Sequence, residues 1–181
     1  MARYISILRG INVGGRRKIL MADLKLLYEE LGFSNITTYI QSGNVAFDFP
    51  KTESQEKLSG KIKAAIDKTY GFDVPVIIRT VEEIERALKI NPFLKDVTDI
   101  KGLFLAFLTE EPSEENLGKL NSIEFPNDAF EVIGKNVYIC CSGRFSDSKL
   151  TNNFFENKLK VAATTRNWKT VMKLQEMGVK N

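Results

Sequence analysis

Apolar and polar positions along this chain switch between a period of two and a period near 3.6, and the order of the switches predicts its elements. Tyr4–Arg9 alternates and is rich in β-formers, which predicts a strand. After a glycine-rich basic loop, Leu24, Leu27, Tyr28 and Leu31 recur at helical spacing, and Gly32 supplies the stop. Ile36–Ile40 and Val45–Phe49 read as two strands, joined through Gln41-Ser42-Gly43-Asn44, a composition that turns tightly. Thr52-x-x-Gln55 resembles a capping box and opens a helix with Leu58, Ile62, Ile66 and Tyr70 on its inner face, ended by Gly71. Val74–Arg79 then completes a β-α-β-β-α-β order.

Thr80-x-x-Glu83 is a second capping box, and Asn91-Pro92 terminates the connecting helix it begins. The pattern then restarts. Gly102–Leu108 is an apolar strand, and Ser113–Ser122 is helical with Leu117 and Leu120 inward. Phe130–Ile133 and Val137–Cys141 form a hairpin around Gly134-Lys135-Asn136. Helical sequence follows at Asn152–Leu159 and at Arg166–Met177, and no clear final strand precedes the last helix. The expected fold is α+β: two ferredoxin-like (split β-α-β) half-domains with antiparallel sheets, the second lacking a clear last strand. The expected divisions are residues 1–80, a connecting helix and loop at 81–99, and residues 100–181. With no Gly/Ser linker or low-complexity segment, the halves are expected to pack as one body.

Composition narrows the chemistry. At 181 residues, 43% apolar and 27% charged, the chain is in the ordinary globular range. Its apolar runs, such as Leu103–Leu108, are too short to span a bilayer, and the N-terminus has no signal-peptide pattern. A cytoplasmic protein is expected, with no membrane among its partners. The absence of histidine removes Ser-His-Asp and Cys-His catalysis and His-ligated zinc. The only cysteines, Cys140 and Cys141, are adjacent and would point to opposite faces of a strand, so they read as small hydrophobes rather than a disulfide or metal site. The net charge of +3 is small, but its distribution is uneven. Residues 9–18 hold four basic groups and no acid, residues 144–181 eight basic against three acidic, and residues 110–131 seven acidic against one lysine.

Topology converts the first basic cluster into a candidate site. In a split β-α-β unit the first two strands run parallel, so the loop after the first and the hairpin after the second leave the sheet at the same end. That end would gather Arg9, Asn12, Arg16, Arg17 and Lys18 from the loop and Gln41, Ser42 and Asn44 from the hairpin. Gly10, Gly14, Gly15 and Gly43 would allow close backbone approach. Guanidinium and ammonium groups with free N–H groups suit a phosphate or carboxylate. Gly10-x-x-x-x-Gly15 has the glycine spacing of a nucleotide P-loop, but Arg16-Arg17 stands where Lys-Ser/Thr is needed. Neither an NTPase nor a Rossmann dinucleotide reading survives, and no cofactor or metal is expected. The competing structural reading makes the glycines turn formers and gives Asn12 and Asn44 to the loop backbone.

A second constellation, Thr164-Thr165-Arg166-Asn167-Trp168-Lys169, reads as a helix start capped by Thr164 or Thr165. Trp168 reads as a core anchor. Arg166 and Asn167 then join the candidate ligand-binding set: a first-turn cation opposes the helix dipole and is easier to explain if Arg166 meets an acid or shares an anion with the helix N-terminus, the competing reading being an ordinary surface arginine, which costs little. Among the acids, Asp23 reads as first-turn charge, Asp48 as a strand residue, and no D-x-D or H-E-x-x-H spacing occurs. Tyr39, Phe47 and Tyr138 could stack bases on an open sheet, but the RNP signature is missing, and filling an interface or packing against helices is the simpler reading.

Arg9-Gly10-Ile11-Asn12-Val13-Gly14-Gly15, Met21-Ala22-x-Leu24, Tyr39-Ile40-Gln41-Ser42-Gly43-Asn44-Val45 and Thr165-Arg166-Asn167-Trp168 together resemble the bacterial family known as domain of unknown function 1697. The resemblance runs through essentially the whole chain. It implies a self-contained bacterial α+β protein of two ferredoxin-like halves and transfers no catalytic residue. The expected function is binding of a phosphate-bearing small molecule or nucleotide. The alternatives are nucleic-acid binding, a histidine-free transferase or hydrolase, and a protein-interaction scaffold.

Overall fold

The computed structural model describes residues 1–50 and 52–179. Lys180 and Asn181, the end of the basic stretch 144–181, lie outside them. The chain divides into two compact units, Met1–Glu85 with the chain from Leu174 on, and Arg86–Lys173.

The first unit contains β1 (Ala2–Leu8), α1 (Met21–Glu30), β2 (Ser34–Tyr39), β3 (Asn44–Phe49), α2 (Gln55–Tyr70) and β4 (Val76–Thr80). Its sheet has the order β2-β3-β1-β4. Every neighbouring pair is antiparallel, with Tyr4 opposite Phe47 and Ile5 opposite Arg79. Because β3 lies between them and opposes both, β1 and β2 run in the same direction. Alternation puts Tyr4, Val45, Phe47 and Ile78 into one core with Leu24 and Tyr28 of α1 and Leu58, Ile62 and Ile66 of α2. Ser6 is on the same face and meets the Tyr28 hydroxyl at 2.8 Å, so the polar group in this strand is satisfied by the helix above it. Gly71 ends α2 in the left-handed conformation at φ 69°.

The connecting helix α3 (Val81–Lys89) opens with the expected reciprocal cap. The Thr80 amide donates to Glu83 Oε2 at 2.7 Å and the Glu83 amide to Thr80 Oγ1 at 3.2 Å. The other predicted box is corrected. The cap of α2 is Ser54, which accepts from the Lys57 amide, while Gln55 donates instead to Glu83. A hydroxyl next to the first helical residue reaches the free amides, whereas Thr52 sits too far upstream.

The second unit repeats the plan with β5 (Leu103–Leu108), α4 (Glu114–Asn121), β6 (Asp128–Ile133), β7 (Asn136–Cys141), α5 (Asn152–Leu159) and β8 (Ala163–Asn167), before α6 (Trp168–Gly178). Its sheet order, β6-β7-β5-β8, corresponds strand for strand to the first. Local bonds correspond too. The Leu8 amide donates to Gly43 O at 2.9 Å, and the Leu108 amide to Lys135 O at 2.9 Å.

The last strand corrects the expectation of a half without one. Ala163-Thr164-Thr165-Arg166-Asn167 pairs with β5 along one edge, with Leu105 opposite Arg166. Its buried positions include Thr164 and Arg166, so the strand carries no apolar alternation to read. The last helix accordingly starts later than predicted, at Trp168, and its cap is Asn167, whose Oδ1 accepts from the Thr170 amide at 2.8 Å. Neither Thr164 nor Thr165 caps it. Trp168 is buried, as a core anchor should be.

Candidate functional site

The segment between β1 and α1 is a small basic finger. The Arg16 amide donates to Val13 O at 3.0 Å and the Asn12 amide to Arg17 O at 3.1 Å. Val13 and Arg16 form an isolated antiparallel bridge. Gly14 and Gly15 make the reversal at φ 58° and 74°, the left-handed pair that a two-residue hairpin turn requires. All six residues from Val13 to Lys18 are exposed.

Asn12 fixes the finger to the rest of the unit. Its Nδ2 donates to Ile19 O and to Gln41 O, both at 2.9 Å, and its Oδ1 accepts from the Ile19 amide at 2.9 Å. The same residue sits at φ 54°, a conformation that asparagine tolerates better than most side chains. Gly43 packs directly under the finger's base. A Cβ there would stand 2.8 Å from both Leu8 Cβ and Ile11 Cδ1. The loop after β1 and the hairpin after β2 therefore lie side by side, as the parallel direction of the two strands predicts.

Within this arrangement the candidate residues divide by what their side chains do. Asn12 is committed to backbone, and Asn44 is committed within its own hairpin, its Nδ2 donating to the Tyr39 carbonyl and to the Ser42 hydroxyl at 3.0 Å each. Arg9 is half-buried, and its backbone amide donates to Pro75 O at 3.0 Å. Gln41 is exposed and Ser42 half-buried beside it. Arg16, Arg17 and Lys18 are exposed, and among the described residues no carboxylate pairs with any of them. Arg166 and Asn167 belong to the second unit. Arg166 is buried on β8, where Nη1 donates to Thr164 Oγ1 and Thr165 O at 3.1 Å each. Burial lowers its guanidinium pKa to about 10. It therefore does not stand in a helix first turn, and the anion-sharing argument that brought it into the set no longer applies.

The corresponding crossover of the second unit is an internal control. Twelve residues, 9–20, join β1 to α1, whereas five, 109–113, join β5 to α4, and the latter include Glu110 and Glu111. The repeated plan closes without a finger, so the fold does not demand one.

The other candidates are taken up by structure. Asp48 is buried and pairs with Arg3 at 3.1 Å, while Asn35 donates to it at 2.8 Å. Asp23 lies in the first turn of α1. Phe47 and Tyr138 are fully buried, which closes them to base stacking. Phe47 stacks on Phe33 at 4.4 Å, and the Tyr138 hydroxyl donates to Ala87 O at 2.9 Å. Both cysteines are free thiols whose pKa is raised, first by burial. Among the described residues no group of three His, Cys, Asp or Glu is placed to hold a metal, and no helix is long and apolar enough to cross a membrane. Sequence reasoning passed over three exposed aliphatic residues around the finger, Val13, Leu20 and Ile40. Val13 and Leu20 lie outside the elements that periodicity marks, and Ile40, read as the end of a strand, falls just beyond it because β2 stops at Tyr39.

Comparison with known proteins gives a consistent but functionally silent picture. A family model described as "Protein of unknown function (DUF1697)" matches residues 1–138. A solved structure of a conserved bacterial protein from Streptococcus pneumoniae is similar over 98% of this chain and 99% of its own, with 27% identity and a TM-score of 0.76. No curated protein matches.

Proposed function

We propose, from the premise that this chain belongs to the protein family of unknown function DUF1697, that it binds a phosphate-bearing small molecule or nucleotide at the β1–α1 finger. One observation carries the reading. Arg16, Arg17 and Lys18 form three consecutive exposed cations with no carboxylate partner among the described residues, on a turn braced by Asn12. Bracing matters because a preorganised set of cations loses less side-chain and loop entropy on binding than a floppy one. The exposed amides of Gly14 and Gly15 add donors at the tip, and guanidinium groups match phosphate oxygens in pairs. Gln41 lies close enough through its backbone bond to Asn12 to orient the remainder of a ligand. The longer crossover in this half, absent from the other, fits a segment added for binding rather than for folding.

The experiment is a titration with inorganic phosphate and with nucleoside mono- and triphosphates, followed by amide chemical shifts of Asn12–Ile19. Shifts should concentrate at Gly14–Lys18, and Arg16→Ala/Arg17→Ala/Lys18→Ala should weaken binding at least about tenfold, each charged hydrogen bond being worth ~1.5 kcal/mol or more. Equal affinity in the variant, or shifts elsewhere, would overturn the reading.

A further inference from the structure

The three exposed aliphatic residues around the finger each adjoin, in the chain, a residue of the Asn12 brace. Val13 follows Asn12 in the chain, and the two backbone segments held by the Asn12 carboxamide are those of Ile19, which precedes Leu20, and Gln41, which follows Ile40. Their exposures are 64%, 69% and 48%. Two of them also sit where another residue type would suit the backbone better. Leu20 occupies the N-cap position of α1, where a Ser, Thr, Asp or Asn side chain would satisfy a free amide, and no side chain caps that helix. Ile40 stands at φ 49°, a region that β-branched residues avoid. Local backbone preference therefore does not explain either side chain. In the same loop are Arg16, Arg17 and Lys18, all exposed, so exposed cations lie between Val13 and Leu20 in the chain, and the Asn12 bond to Gln41 brings the segment after Ile40 beside them.

An exposed loop and its flanks that offer aliphatic side chains and cations together are complementary to a surface with phosphates at its face and hydrocarbon just beneath. Nucleic acid would match the cations but would leave three aliphatic groups without a stacking face, a role taken by aromatic side chains. We infer that the finger docks on an anionic phospholipid bilayer, with Val13, Leu20 and Ile40 entering the headgroup layer and Arg16, Arg17 and Lys18 on lipid phosphates. This rests on the phosphate-binding reading above and names the form in which the phosphate is met. It differs from the sequence expectation of no membrane partner, which weighed only spanning segments; a peripheral contact needs none.

Co-sedimentation of the full chain with vesicles tests it, using phosphatidylcholine alone and an equal mixture with phosphatidylglycerol. Binding should require the anionic lipid. It should fall about a hundredfold in Arg16→Ala/Arg17→Ala/Lys18→Ala, since each basic group near an anionic surface contributes roughly fivefold. A second variant, Val13→Thr/Leu20→Ser/Ile40→Asn, removes apolar surface while keeping the Val13 shape, supplying a cap and easing the Ile40 backbone, so it folds at least as well. It should lose vesicle binding at least about tenfold and bind inorganic phosphate as before. Vesicle binding unchanged in that variant would overturn the docking. So would no preference for phosphatidylglycerol, or tighter binding to a single-stranded oligonucleotide that the apolar changes leave untouched. If phosphate still titrates while vesicles do not bind, docking fails and phosphate recognition stands. If phosphate does not titrate, both fail.

Discussion

Replacing Asn12 tests whether the finger is a braced structure or a passive loop. The carboxamide makes three hydrogen bonds of 2.9 Å to two separate backbone segments. A net of ~1 kcal/mol for each, discounted because the site is half-exposed, gives about 2 kcal/mol for their combined loss. Alanine adds about 1 kcal/mol more, because φ 54° is unfavourable for any residue with a Cβ and no local hydrogen bond to offset it. Asn12→Ala should therefore destabilise the finger by about 3 kcal/mol, and Asn12→Gly, which relieves the backbone but not the bonds, by about 2 kcal/mol. Asn12→Asp keeps the acceptor for the Ile19 amide but sets a carboxylate oxygen against the Ile19 and Gln41 carbonyls, and should destabilise the finger more than Asn12→Gly. Native-state hydrogen exchange at the Ile19, Arg16 and Asn12 amides reads this directly, since about 3 kcal/mol corresponds to protection reduced more than a hundredfold. If protection at Ile19 in Asn12→Ala stays within about threefold of wild type, or if glycine is worse than alanine, the brace is not what holds the finger.

Three further outcomes follow from the same geometry. Gly43→Ala should cost more than ~2 kcal/mol in urea unfolding, because its Cβ would collide with Leu8 and Ile11, whereas Gly14→Ala, which meets nothing within 4 Å, should cost only ~1 kcal/mol from its positive φ; equal costs would refute the close approach. Thr80→Ala should lower the urea midpoint by about 1 kcal/mol of stability through the lost cap, and an unchanged midpoint would count against the reciprocal box. Burial, opposed slightly by Asn136, raises the Tyr138 phenol from 10.0 to about 12. Its contribution is complete below the unfolded value and is lost as pH climbs through that window, where the unfolded chain ionises first. Wild type should then lose up to about 1.4 kcal/mol per pH unit more than Tyr138→Phe. Arg166 works in the opposite sense but equally in both proteins, so parallel stability profiles would refute the shift.

The sequence alone determined the order of most elements and the neighbourhood of the candidate site. Periodicity and caps are local, so α5 and the Thr80-Glu83 box could be read from adjacent residues. The direction of β1 and β2 followed from the element order, and with it the meeting of the finger and the hairpin. Tertiary structure decided what pattern could not carry. β8 is a strand because β5 offers it an edge and Arg166 and Thr164 are buried there, although nothing in Ala163–Asn167 alternates. The same strand moved the helix start to Trp168 and took Arg166 out of the helix. Asn12 could be ligand or brace until the distances to Ile19 and Gln41 were known, since those bonds span up to 29 residues of chain. Exposure at Val13, Leu20 and Ile40 was equally invisible, because a sequence records which residues are apolar and only folding decides which of them stay in water.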